Sequence, residues 1–138
     1  MLHSSDAPSV IDFPRISDPR GNLSFVENNG LLPFDISRVF WINDVPGGAR
    51  RYGRALRSQW EAIVILSGSV SVNTVSAYGN EPFILDRPDR ALVIPPLTWR
   101  SIEHFTTNSV LMVLCSADYD ESDYIRDYNA FKEILNEH

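Results

Sequence analysis

Short runs of branched and aromatic residues recur along the chain, each broken by residues that turns use. NLSFVE (22–27), SRVFWIN (37–43), EAIVILSG (61–68), SVSVNTVSA (69–77), PFILD (82–86), ALVIP (91–95), RSIEHF (100–105) and SVLMVLCSA (109–117) fit strands. Between them DVPGG, SGS, AYGN, DRPDR and TTNS supply Gly, Pro, Asn or Asp. Many short strands at nearly even spacing predict an all-β sandwich or barrel, over about residues 10–117. Only the end departs from this pattern. In IRDYNAFKEIL, Ile125, Tyr128, Phe131, Ile134 and Leu135 recur at three-to-four spacing, which predicts an amphipathic helix over about 122–136. The acidic run Asp118, Asp120, Glu121 and Asp123 reads as its N-terminal cap, where carboxylates meet free backbone donors.

Composition narrows the picture. A chain of 138 residues with 43% apolar and 11% aromatic residues is long enough to bury a real core, and a single domain over 1–138 is the expectation. The net charge of −6 argues against a general nucleic-acid binder, which needs a basic surface. Cys115 is the only cysteine and sits in an apolar run, so no internal disulfide forms and a buried, inert thiol is expected. That suits a reducing cytoplasm. The start, MLHSSDAPSV, carries neither a basic segment nor an apolar one, and no run of about 18 apolar residues occurs. The reading is a soluble, cytoplasmic protein with no membrane partner.

Positive charge is concentrated in one place. Arg50, Arg51, Arg54 and Arg57 fall within RRYGRALR, with Trp60 close behind. On a regular strand Tyr52, Arg54 and Leu56 share one face, and Arg51 and Arg57 the other. Two readings stand. Arginines on an edge strand discourage edge-to-edge pairing. Alternatively they form a diphosphate clamp, because guanidinium forks match phosphate oxygens and aromatic faces stack on bases.

Larger blocks place the chain in a family. DPRGNLSFVE (18–27), PFDISRVFWINDVPGG (33–48), LSGSV (66–70), LDRPDRALVIPPLTWRSIEHF (85–105) and SADYDESDYIRDYNAF (116–131) resemble, in order and spacing, the WxcM-like cupin family of thymidine-diphosphate 4-keto-6-deoxyglucose 3,4-ketoisomerases. The resemblance implies a double-stranded β-helix (jelly-roll) barrel, usually a homodimer, with a thymidine-diphosphate-linked sugar in its mouth and no cofactor or metal. It implies a role in making deoxyamino sugars of surface polysaccharides. Arg20 and Arg51 fall on arginines of the family, and with Tyr52, Arg54 and Arg100 they are the expected ligand-binding residues.

The departure lies at the chemical centre. The family pattern there runs Arg-Gly-x-His-Ala-His-Lys, with both histidines associated with catalysis; this chain has Arg54 and Leu56 at those positions. Phe40 and Trp41 stand where the family tends to have tyrosines facing the sugar. Phe40, Trp41, Leu56 and Trp99 are accordingly the expected pocket residues, Trp99 with the competing reading of a barrel-end filler. Moving a keto group from C4 to C3 needs a group that takes a proton from C3 and delivers one at C4. A guanidinium offers donors only and stays protonated, so it stabilises an oxyanion but is a poor base.

Glu61, Glu103 and His104 are the candidate substitutes, Glu103 and His104 with the competing reading of a solvated strand end. Alternation in RSIEHF sets Arg100, Ile102 and His104 on one face and Ser101, Glu103 and Phe105 on the other. A histidine-rich metal centre is not expected, since His3 and His138 sit at the termini and leave His104 alone inside. Three functions remain: a nucleotide-sugar binder with lost or altered catalysis, alone or paired with a histidine-bearing ketoisomerase; an active 3,4-ketoisomerase with a relocated base; and a structural cupin without ligand.

Overall fold

The alternating segments build two five-stranded sheets, all of whose pairings are antiparallel. The structure, a computed structural model, describes residues 7–137 apart from the side chain of Tyr52; His3 and His138 lie outside it. The first sheet contains β1 (Ser9–Asp12), β9 (Arg90–Ile94), β6 (Glu61–Ser67), β11 (Val110–Cys115) and β4 (Arg38–Ile42) in that order. The second contains β12 (Tyr124–Ile125), β5 (Arg51–Leu56), β10 (Trp99–Glu103), β7 (Val70–Ser76) and β8 (Gly79–Leu85). From β4 onward the chain steps from one sheet to the other at every connection but the β7–β8 hairpin. This is the winding of a double-stranded β-helix. A separate hairpin, β2 (Arg15–Asp18) with β3 (Gly21–Ser24), is exposed along most of its length.

Period-two alternation decides which side chains meet. Ile63, Ile65, Leu92, Ile94, Leu111 and Val113 of the first sheet face Val70, Val72, Leu85 and Ile102 of the second, and this core lies between the sheets. The opposite face of the first sheet carries Ala62, Val64, Ala91, Val93 and Leu114. It is covered by Phe13, Leu32 and the partly buried Phe34 and Trp60, whose rings lie 6.3 Å apart. Trp60 is therefore on the outside of the first sheet and cannot stack on a ligand among the arginines.

Helix α1 (Tyr128–Asn136) covers the outer face of the second sheet through Phe131, Ile134 and Leu135 against Ala55, Val75 and Trp99. It is shorter than the apolar spacing predicts. Ile125 belongs to β12, which pairs with Leu56 and Ala55 at the edge of β5, because the edge of that strand otherwise leaves backbone groups unpaired. The acidic run also serves differently from the expectation. Asp127 caps α1 by accepting from the Ala130 N–H, whereas Asp120 caps a 3-10 turn over Glu121–Asp123. Asp123 is buried and accepts the backbone N–H groups of Ser58 and Gln59 and the Ser58 hydroxyl at 2.7–3.2 Å, tying the β5–β6 turn to the C-terminal segment.

Candidate functional site

A β-bulge in β5 determines which arginines meet. Opposite β10, Arg54 stands across from Arg100, but Arg51 rather than Tyr52 stands across from Ile102. One extra residue on β5 breaks strict alternation there, and directly opposed residues point to the same face. Arg51 and Arg54 are thus brought to the same side, contrary to the alternation expected of a regular strand. With Arg50 and Arg126 they line a cleft of about 320 Å³. Arg57 does not line it. Gly53, within the bulge, sits over Trp99: a Cβ there would come within 2.1 Å of the indole Nε1.

Next to Arg54, and buried between the sheets rather than lining the cleft, two cross-strand rows lie on facing sheets. In the first sheet Glu61, Cys115 and Arg38 are register partners on β6, β11 and β4. In the second sheet Arg54, Arg100 and Thr74 are partners on β5, β10 and β7. Glu61 is fully buried; Nη2 of Arg54 donates to its Oε1 at 2.8 Å, and Nη1 of Arg100 lies 3.5 Å from the same oxygen. The side chain of Arg100 is also fully buried, and none of its three guanidinium nitrogens makes a hydrogen bond among the described residues. Burial pushes Arg100 down to about 10, against the pull of Glu61. Burial, reinforced by Glu61, pushes the Cys115 thiol up to about 12, so it stays neutral at ordinary pH.

Aromatic rings hold the outer guanidiniums. The Arg54 guanidinium lies 6.0 Å from the Phe40 ring and 5.8 Å from that of Tyr124, and Arg38 lies 5.4 Å from Phe40. Arg126 stacks on Tyr124 at 4.6 Å, and Glu121 holds its guanidinium through two bonds of 2.9 Å. Arg126 and the Tyr119 hydroxyl in turn hold the Glu121 carboxyl at about 2. Tyr124 and Arg126 were not among the residues the sequence reading singled out. The sequence signal for them is their place in SADYDESDYIRDYNAF, a block that carries the family resemblance and also spans the expected helix start.

Other expected residues fall elsewhere. Arg20 is exposed in the β2–β3 turn, paired with Asp18 at 2.7 Å, and does not line the arginine cleft. Trp41 is 64% exposed on the outer face of β4, because its neighbour Phe40 takes the inward position and adjacent strand residues point oppositely. Trp99 lies beneath α1, packed against Tyr128 and Phe131, with ring centroids 5.3 and 5.6 Å away. It fills the outside of the second sheet rather than the cleft. Leu56 is fully buried, next to Tyr124 of β12.

Of the three substitute bases, Glu61 alone joins the buried cluster. Glu103 is paired with Arg50 at 3.2 Å, and His104 is exposed in a turn with φ of 58°. Tyr52 forms part of β5, but its side chain lies outside what the structure describes. No group of three His, Cys, Asp or Glu among the described residues is arranged around a common metal position.

Known proteins share this framework. The model of the family described as WxcM-like, C-terminal matches residues 6–136. A TDP-4-oxo-6-deoxy-alpha-D-glucose-3,4-oxoisomerase from Aneurinibacillus thermoaerophilus is 37% identical over 126 residues, 91% of each chain. The sugar 3,4-ketoisomerase from Thermoanaerobacterium thermosaccharolyticum, solved in complex with TDP, is 33% identical with a TM-score of 0.89 over 94% of this chain and 95% of that one. A histidine-to-asparagine variant of that enzyme, solved with TDP-4-keto-6-deoxyglucose, is 33% identical with a TM-score of 0.91 over 100% and 98%.

Proposed function

The chain belongs to the WxcM-like, C-terminal family, and on that premise we propose that it binds a thymidine-diphosphate-linked sugar at the arginine cleft, with little or none of the ordinary 3,4-ketoisomerase activity. The observation that carries this reading is the identity of the two residues at the family's histidine positions. Arg54 is committed to Glu61 and can only donate; Leu56 is buried hydrocarbon. Each general acid or base is worth about a hundred- to ten-thousandfold in rate, so losing two removes most of the turnover. What is kept suits recognition. Arg50, Arg51, Arg54 and Arg126 converge on one cleft, where guanidinium forks match the oxygens of a diphosphate. Arg100 stands opposite Arg54 on β10, and the Phe40 ring lies 6.0 Å from the Arg54 guanidinium.

The assembly proposed with it is a homodimer. Val39, Trp41 and Leu66 expose apolar surface on the outer face of the first sheet, next to an apolar hollow of about 220 Å³ containing Phe25, Val64 and Met112. A continuous apolar area of this kind is the usual mark of a protein interface. No described helix is long and apolar enough to cross a membrane, and a cytoplasmic place beside sugar-nucleotide metabolism is part of the proposal.

A second reading rests on Glu61. It is the one substitute inside the buried cluster, and an active isomerase with a relocated base would use it. One experiment separates the two: titration with TDP, followed by incubation with TDP-4-keto-6-deoxyglucose and measurement of proton exchange at C3. Binding without exchange is the expected result. Exchange at rates ordinary for an enzyme would overturn the reading and turn attention to Glu61.

A further inference from the structure

The space between the sheets is shut directly behind the arginine cleft. Ala55 packs with Phe131 of α1, so Arg54 and Leu56, on either side of it, point inward. Arg54 reaches from β5 to Glu61 on β6 in the facing sheet, at 2.8 Å, and the rings of Phe40 and Tyr124 flank its guanidinium at 6.0 and 5.8 Å. Leu56, Glu61, Cys115 and the side chain of Arg100 are all fully buried. A side chain that no water molecule touches borders no space that a sugar ring could enter. At the two positions where the family pattern has histidine, this chain therefore has a cross-sheet ion pair and a buried leucine.

Opening that interior meets a specific obstacle. To let a ligand group past, Arg54 must leave Glu61, and the buried carboxylate then keeps only Arg100, 3.5 Å away, as a counter-charge. A neutral sugar offers hydroxyl and carbonyl groups but no charge to replace the one withdrawn. In front of Arg54 the balance is different. Glu103 holds Arg50 and Glu121 holds Arg126, while Arg51 has no ion pair among the described residues. Guanidiniums line this cleft, and a diphosphate engages them without drawing Arg54 away from Glu61.

Resting on the nucleotide-sugar reading above, we infer that recognition in this chain stops at the diphosphate. Its ligand class is thymidine diphosphate and its esters, the group beyond the second phosphate stays outside the barrel and goes unread, and Arg54 is the specificity-determining residue that shuts it out.

The test compares, by calorimetry on the intact chain, TDP, the methyl ester of its terminal phosphate, TDP-glucose and TDP-4-keto-6-deoxyglucose. The methyl ester matches the charge of the two sugar conjugates and lacks the ring. On the natural chain the three esters should bind within about threefold of one another, less than one average hydrogen bond contributes. Arg54→His removes the cross-sheet guanidinium and should carry TDP-4-keto-6-deoxyglucose beyond that range, tighter than the methyl ester. If this variant does not fold, Arg54→Ala reads the same ratio. A sugar conjugate outside the range on the natural chain would overturn the inference and leave the nucleotide reading standing. A ratio still inside it in a folded Arg54 variant would overturn the assignment to Arg54. No binding of TDP or its methyl ester would remove the nucleotide reading, and this inference with it.

Discussion

Arg54 and Arg100 stand directly opposite each other on neighbouring strands and approach the same oxygen of Glu61, at 2.8 and 3.5 Å. Two guanidiniums side by side repel, and the carboxylate between them is what makes the pair tolerable in a buried position. Glu61→Gln keeps the shape and removes the charge. Breaking a buried ion pair from one side costs about 3–5 kcal/mol, and a loss of that order is expected in urea unfolding. A loss under about 1 kcal/mol, the range of exposed pairs, would show that solvent and not Glu61 compensates these arginines.

The bulge in β5 makes a prediction that regular alternation does not. Arg51→Ala and Arg54→Ala should each weaken TDP binding, whereas Arg57→Ala, outside the cleft, should leave it unchanged. Hydrogen bonds to charged groups are worth about 1.5–3 kcal/mol, roughly ten- to hundredfold in affinity. If Arg51→Ala behaves like Arg57→Ala, the cleft does not hold the diphosphate as proposed.

Restoring the family pattern should restore chemistry. The double substitution Arg54→His with Leu56→His is expected to raise proton exchange at C3 of TDP-4-keto-6-deoxyglucose above that of the natural chain. Recovery will be partial, since Phe40 still lacks a hydroxyl and Arg100 remains beside the site with Glu61. A folded double variant as inactive as the natural chain would mean that the histidines are not the missing element.

Trp41 tests the assembly. Its indole is 64% exposed beside Val39 and Met112, and in a homodimer through this face it becomes buried. Sedimentation should give a dimer at micromolar concentration, and Trp41→Glu should shift it to monomer without changing the far-ultraviolet spectrum. A natural chain that sediments as a monomer removes the proposed interface.

The Glu121–Arg126 pair sets an acid limit near the cleft. With its folded value held at about 2 against 4.5 for a free glutamate, Glu121 favours the folded state fully above pH about 4.5. That contribution is lost as pH falls through about 2. Carboxyl carbon resonances should show Glu121 titrating well below the ordinary glutamate range, and Arg126→Ala should return it toward that range. Unchanged titration in that variant would assign the shift to Tyr119 instead.

The local pattern of the chain determined the all-β class, most of the strands and the amphipathic character of the C-terminal segment. These follow from period-two and period-3.6 spacing, which each segment carries within itself. Besides β12, two short strands escaped it, β1 and β2, because SVID and RISD are brief and largely exposed, with little apolar contrast to read.

What the tertiary structure decided depends on partners far apart in sequence. The extra residue in β5 is defined only against β10, so no inspection of RRYGRAL reveals that Arg51 and Arg54 share a side. Ile125 and Tyr124 have helical spacing but are taken by the open edge of β5, where unpaired backbone groups outweigh a weak local preference. Glu61, Arg100 and Cys115 become neighbours only when β6, β10 and β11 are in register, because a cross-strand contact is a property of pairing and is not encoded in either strand alone.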